Sequence, residues 1–235
     1  MFKLLSTANP KIQKGTKMGY LSFILHLAPA DLSGRETCPK RTAGCTAACL
    51  NTAGRGGMFK RGENTNMIQK ARIRKTKYFF EDRDAFMLDL AYDIQKAIRF
   101  AERKGLIPVF RLNGTSDLSW EKYEVPVFCT KNIFELFPNV QFYDYTKVLG
   151  RKVKDIPNYH LTFSKADGND ADVAEALLQG MSVVAVYDKI PAGVPSADET
   201  DLRFLDPKGV MLGLKAKGRA KKDYTGFVIR VKEVA

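Results

Sequence analysis

The sequence predicts an α/β fold, one domain on a mainly parallel sheet, and three observations lead there. Short β-type apolar runs alternate with helix-period segments along the chain. No linker rich in Pro, Gly and Ser, no internal repeat and no low-complexity tract divides its 235 residues, a length that one large domain accommodates. Hydrophobic residues make up 45% and charged residues 27%, enough for a substantial core and too balanced for a disordered or coiled-coil chain.

Taken in order, Tyr20-Leu-Ser-Phe-Ile-Leu-His-Leu27 reads as the first strand, and the apolar run around it is too short to cross a bilayer. A Cys- and Gly-rich loop follows over 31–66, in which Cys45 and Cys49 share one helical face if Thr42–Thr52 is helical, and then a basic helix over 66–80. In the next helix Phe86, Leu90, Ile94, Ala97, Ile98 and Ala101 recur every three or four residues, and Gly105 ends it. Strands are expected at 107–113, 140–146, 159–164, 182–187 and 210–214, with a helix at Asp172–Gln179 between the third and fourth of these. A last strand, 226–231, is expected to pair antiparallel at an edge. Six strands with βα crossovers suggest a partial (βα)6-like barrel, and an open parallel sheet is the rival.

The net charge of +12 favours an anionic partner, nucleic acid being the commonest, although a basic surface can also serve solubility alone. The surplus is clustered. Between Arg55 and Lys77 eight basic residues face the single acid Glu63, and Lys215, Lys217, Arg219, Lys221 and Lys222 form a second group. Polar Ser-Thr and Asn9-Pro10 directly follow the first five residues, so no signal peptide is read and a soluble, cytoplasmic protein is expected.

In parallel α/β folds ligands gather at the C-terminal ends of the strands. Here those ends carry Asn113-Gly114-Thr115-Ser116-Asp117, Asp144-Tyr145-Thr146-Lys147, Ser164-Lys165-Ala166-Asp167 and Asp188-Lys189. Turns favour such residues anyway, but several polar ends on one rim point to a site. The cysteines are the sharpest signal: Cys38, Cys45 and Cys49 are spaced C-x6-C-x3-C. In a cytoplasmic setting, clustered thiols suit a soft metal, either an iron–sulfur cluster with one open iron or zinc with a fourth ligand. The absence of a CxxC pair weakens zinc. The bland alternative is three buried small side chains. Cys129 and His26 read as core residues, and His160 is evenly balanced. No P-loop, GxGxxG, GxSxG or HExxH motif is present.

Cys45-Thr-Ala-Ala-Cys-Leu-Asn-Thr-Ala-Gly-Arg-Gly56, Arg111–Asp117 and Val140–Lys147 resemble a family of phage and plasmid proteins known by a gene-product label. Asn158–Ser164 and Asp201–Pro207 are similar to it as well. That resemblance implies a phage-type protein in a bacterial host cytoplasm and brings no activity with it. More distantly, the strand count and the cysteine loop after the first strand resemble the partial barrel of radical S-adenosylmethionine enzymes, although the usual spacing there is C-x3-C-x2-C.

The second likeness implies a [4Fe–4S] cluster on Cys38, Cys45 and Cys49, with S-adenosylmethionine held near Asn113, Gly114, Thr115, Ser116 and Asp117. Asp144, Tyr145, Lys147, Ser164 and Lys165 are then expected to face an anionic substrate, and Lys70, Arg72, Arg74 and Lys75 to contact phosphate. Asp117, Asp144 and Lys147 are the candidate catalytic groups, with or without a metal. The competing reading is a non-enzymatic basic accessory protein that binds nucleic acid or a host factor, its cysteines structural or zinc-bound.

Overall fold

The computed structural model describes residues 3–7, 14–59, 64–126 and 131–231. The first long strand forms where Tyr20–Leu25 offers a β-branched and aromatic run with no charge; it is β2, and a two-residue strand β1 (Leu5–Ser6), not anticipated from sequence, pairs antiparallel with it. Five further strands run parallel to β2: β3 (Ile107–Arg111), β4 (Gln141–Thr146), β5 (Tyr159–Ser164), β6 (Val183–Tyr187) and β7 (Met211–Lys215). Their spatial order follows the chain from β1 to β7, and no pairing among the described residues joins the two edges. The sheet is open, as the rival expectation had it.

Two long helices cover one face. Helix α2 (Met67–Glu81) is capped by Asn66, which accepts the Gln69 N–H, and α3 (Arg83–Glu102) by Asp82, which accepts the Ala85 N–H. The anticipated stripe of α3 is its buried face: Phe86, Leu90, Ile94, Ala97 and Ala101 are all inside, packed with Phe23, Phe110 and Phe142 of three neighbouring strands. Those rings stack in a file, 5.3 Å and 5.5 Å between centroids, because their positions are in register across β2, β3 and β4. Farther along, α5 (Asp170–Leu178) lays Val173 and Ala176 against Phe163 and Val183. Between α3 and α5 a single-turn helix, α4 (Ile133–Leu136), is held by a capping box of Asn132 and Glu135.

Side chains one position along each strand point to the other face. There Tyr20, Val109 and Tyr143 are covered by Leu202 and Phe204, from the turn at Arg203–Leu205. The Asp201–Pro207 stretch is therefore a cover of this second face.

Two expectations need correction. The cysteine segment is not one helix over Thr42–Thr52: α1 spans Ala43–Ala47, the chain turns extended at Cys49 (φ −53°, ψ 134°), and a 3-10 turn, Leu50–Thr52, follows. Cys45 and Cys49 thus do not share a helical face. The last strand, β8 (Val228–Ile229), is short and runs parallel to β6, not antiparallel. Asp223 sets that course by accepting the Val228 N–H at 3.0 Å and the Thr225 hydroxyl at 2.7 Å. No helix of the described residues is long and apolar enough to cross a membrane.

Candidate metal centre at the C-terminal edge of the sheet

Each cysteine reaches the edge by a different device. Ala30, just past β2, lies in the left-handed region (φ +52°), unusual for a residue with a Cβ, and from there its N–H donates to Cys38 Sγ at 3.4 Å. Burial pushes the Cys38 thiol up to about 11. Cys45 rides on α1, whose first turn is clamped by Asp167 at the end of β5. That carboxylate accepts a short hydrogen bond from the Thr42 hydroxyl and the Gly44 N–H at 3.0 Å. Only glycine fits position 44, since a Cβ would lie 2.0 Å from Thr225 Oγ1 and 2.6 Å from Asp167 Oδ1. Cys49 accepts the Asn51 N–H at 3.5 Å, and Asn51 is held in turn by Arg72, whose Nη1 donates to its side-chain oxygen at 2.5 Å. Burial also raises the Cys49 thiol.

Lys147, directly after β4, brings its ammonium beside the Cys45 thiol. Burial alone would lower its ammonium, but Cys45, Asp117 and Cys38 around it outweigh that and raise it. Cys38 and Cys49 lie within each other's electrostatic reach, as do Cys45 and Cys49. The three thiols, the ammonium and the Asp117 carboxylate thus converge on one edge. Asp117 Oδ2 accepts the Lys147 N–H at 2.8 Å, whereas Oδ1 is buried without a hydrogen bond. The nearest cation to Oδ1, Arg151 Nη1 at 3.9 Å, is buried and likewise lacks one. Arg151 uses its other nitrogens on Glu121, through Nε at 3.1 Å and a shorter bond from Nη2.

Other expected site residues take structural places. Asn113 Oδ1 accepts from Ser116 Oγ, the Leu118 N–H and Trp120 Nε1 at 2.9, 3.0 and 3.0 Å, so Asn113 and Ser116 tie their own loop. Thr115 donates to Leu27 O at 2.5 Å, and Gly114 passes so close to β2 that a Cβ would meet Leu25 O at 2.7 Å. Asp144 and Tyr145 are neighbours on β4 and point to opposite faces. Asp144 is fully buried, accepts the Asn113 N–H at 2.7 Å and the Tyr159 hydroxyl at 3.0 Å, and is pushed by burial up to about 7. Tyr145 instead joins Arg111 and Asp201 on the face that the 201–207 stretch covers.

Lys165 pairs with Asp170 at 2.8 Å beside the half-buried Ser164. On the basic helix, Lys70 and Arg74 are exposed. Arg72 and Lys75 turn inward, Lys75 donating to Leu4 O at 2.5 Å, and burial lowers its ammonium to about 8. His26 and His160 are half-buried, and loss of water around them lowers them to about 3 and about 4 respectively, holding both neutral. Cys129, Lys60, Arg61 and Glu63 lie outside the described residues.

Sequence reasoning missed Asp167 as a clamp, Arg151 as a buried cation and Asp201 as the partner of Arg111. Asp167 had a signal, its place four residues into a strand-end run. Arg151 had none, because nothing local marks an arginine that folds back onto a loop 30 residues away.

Among the described residues no three His, Cys, Asp or Glu side chains stand ready for a metal ion. A mononuclear zinc site needs its sulfurs about 3.8 Å apart, given tetrahedral Zn–S bonds of ~2.3 Å. A polynuclear cluster spaces its thiolates more widely, and three thiols, two of them receiving a backbone N–H and the third beside an ammonium, suit one.

No curated protein and no solved structure matches the chain significantly, and nothing in the comparisons supports the likeness to radical S-adenosylmethionine enzymes. One family pattern does match, over residues 3–231, nearly the whole chain. The chain belongs to the Gene product 88 family, a phage-type family whose label names no activity.

Proposed function

We propose that the C-terminal edge of the sheet holds an iron–sulfur cluster on Cys38, Cys45 and Cys49, and that the protein is an enzyme acting there on an anionic substrate. The supporting observation is the convergence of three thiols, with backbone N–H groups donating to Cys38 and Cys49 and the Lys147 ammonium beside Cys45, next to a buried carboxylate oxygen, Asp117 Oδ1, that accepts no hydrogen bond among the described residues. N–H groups aimed at sulfur stabilise thiolate over thiol, which is what a ligand set needs, because buried thiols of this kind are protonated until a metal displaces the proton.

A cluster with one iron free of protein thiolate supplies redox and Lewis-acid chemistry. The chain's own residues have separate tasks. Asp167 and Gly44 hold the turn of Cys45, Arg72 holds that of Cys49 through Asn51, and Lys147 offsets thiolate charge. Asp117 Oδ1 is free to accept a proton donor from a bound ligand. Asp144 is a positioning residue that fixes the Asn113 loop. S-adenosylmethionine is proposed only on strand order and loop position, because Asn113 and Ser116 are occupied within the protein.

The test is iron and sulfide content with a visible absorption spectrum on protein purified without oxygen, for the wild type and Cys45→Ala. About four irons and four sulfides per chain with a brown colour, lost in the variant, are expected. Zinc, or colourless protein free of iron, would overturn the reading and leave a basic α/β binding protein.

A further inference from the structure

The two basic clusters, distant in sequence, meet in the fold. The turn Gly218–Lys222 lies against the turn that follows Cys49, with Gly218 so near Ala53 that a Cβ there would meet it at 3.6 Å. Arg55 thereby joins Arg219, Lys221 and Lys222 on one surface beside the cysteine edge. All four are exposed, and none makes an ion pair among the described residues. Nearby acids do not neutralise them, since Asp170, Asp188 and Asp198 are taken by Lys165, Arg230 and Lys217.

An exposed aromatic ring completes the surface. Tyr224, two residues past the basic turn, is 86% exposed. Arg230 stacks over its ring at 4.7 Å and is itself braced by the carbonyls of Lys221 and Asp223, both at 2.8 Å. The ring thus lies against a braced guanidinium, on the rim of a groove of about 500 Å³ lined also by Lys165, Val228 and Arg230, and by Asp170, whose charge Lys165 pairs.

We propose that single-stranded nucleic acid binds here, with its phosphates on Arg55, Arg219, Lys221 and Lys222 and a base stacked on Tyr224. Cations flanking an exposed, braced aromatic suit a strand whose bases are free to stack; a duplex hides those faces, and an acidic protein has no use for the ring. The proposal rests on the reading above for the site that the strand would feed, while the binding itself does not need the cluster.

The experiment measures fluorescence anisotropy of a labelled oligo-dT and of a duplex of equal length, using the full chain at 50 and 200 mM salt. Four phosphate contacts on a single strand give a log–log salt slope of about −2.8, or roughly a 50-fold loss of affinity across that range. Tyr224→Ala is expected to weaken binding about 5- to 150-fold, with Tyr224→Phe near the wild type. Changing Arg219, Lys221 and Lys222 together to Gln should flatten the salt slope by about 2.

No binding at 50 mM salt, duplex bound as tightly as the single strand, or a Tyr224→Ala variant of unchanged affinity would each overturn the proposal. Iron and sulfide content is measured on each of these preparations in parallel. Loss of the cluster and loss of the strand are then read separately.

Discussion

The two faces of the sheet are built on opposite principles. On the helix side, Phe23, Phe110, Phe142, Phe79, Phe86 and Trp120 form a close-packed aromatic core, and the indole N–H of Trp120 is satisfied by Asn113 at 3.0 Å. On the other side Arg111 and Tyr145, both half-buried, meet Asp201 and Arg203, which the 201–206 cover brings down and buries. Arg111 donates to Asp201 at 3.0 Å, Tyr145 donates to the same carboxylate at 3.3 Å, and the guanidinium lies 4.5 Å from the Tyr145 ring. The first face is stabilised by removing carbon from water. The second takes charges out of water and recovers only part of that cost by pairing, leaving buried nitrogens of Arg111 and Arg203 without hydrogen bonds. The difference assigns stability to the helix side, and it leaves the polar side and the adjoining edge as the places where chemistry has a reason to be.

Removing Trp120 should have the largest effect on that contrast. Trp120→Ala deletes a fully buried ring that contacts Phe79 at 5.3 Å and Phe86 at 6.3 Å, and it also unties the Asn113 loop. A loss of about 3–5 kcal/mol is expected, or roughly 6–20 °C in melting temperature by calorimetry. A loss below ~1 kcal/mol would show that the core does not buttress the edge.

The polar face should respond differently, and a double-mutant cycle reads it. Arg111→Met leaves Asp201 buried without its cation and should cost about 3 kcal/mol in urea unfolding. Adding Asp201→Leu should recover at least half, since the stranded charge has gone. If the double variant is no more stable than the single, the pair stabilises the protein and the contrast between faces disappears.

The smallest effect is a pH dependence at the boundary between the faces. His26 follows β2, contacts Ser6 Oγ at 3.4 Å and is lowered to about 3 by burial, with Arg72, Arg111 and Lys75 adding to the shift. Because the folded form resists protonation and the unfolded one does not, stability is lost as pH falls from about 6.5 towards 3. Asp144, raised to about 7, works the other way, its contribution present below about 4 and fading as pH rises towards 7. His26→Gln should therefore lose less stability than the wild type between pH 7 and pH 5, and equal slopes in denaturant titrations at the two pH values would remove the assignment.

Much of the architecture was legible because its signals are local. The stripe from Phe86 to Ala101 and the runs that became β2 to β7 depend on period alone. The polar ends of the strands also fell together on one edge, as their alternation with helices implied. Which residue does what there was far less legible. Asn113 and Ser116 looked like ligand groups and instead tie a loop. Arg72 and Lys75 looked like phosphate contacts and instead hold Asn51 and Leu4. A polar side chain has the same letter whether its partner is a ligand or a carbonyl from elsewhere in the chain.

By itself the sequence determined the α/β class, the order of strands and helices, the three thiols and the basic surplus, because composition and periodicity act over a few residues. Only the tertiary structure decided that the sheet stays open and that 201–206 covers its bare face. It also brought Asp167, Lys147 and three cysteines to one edge and set Arg55 beside the turn at 218–222. The reason is physical. Those contacts join residues far apart along the chain, and their partners are selected by packing once the sheet has formed, when burial gives each charge and thiol the neighbours that set its chemistry.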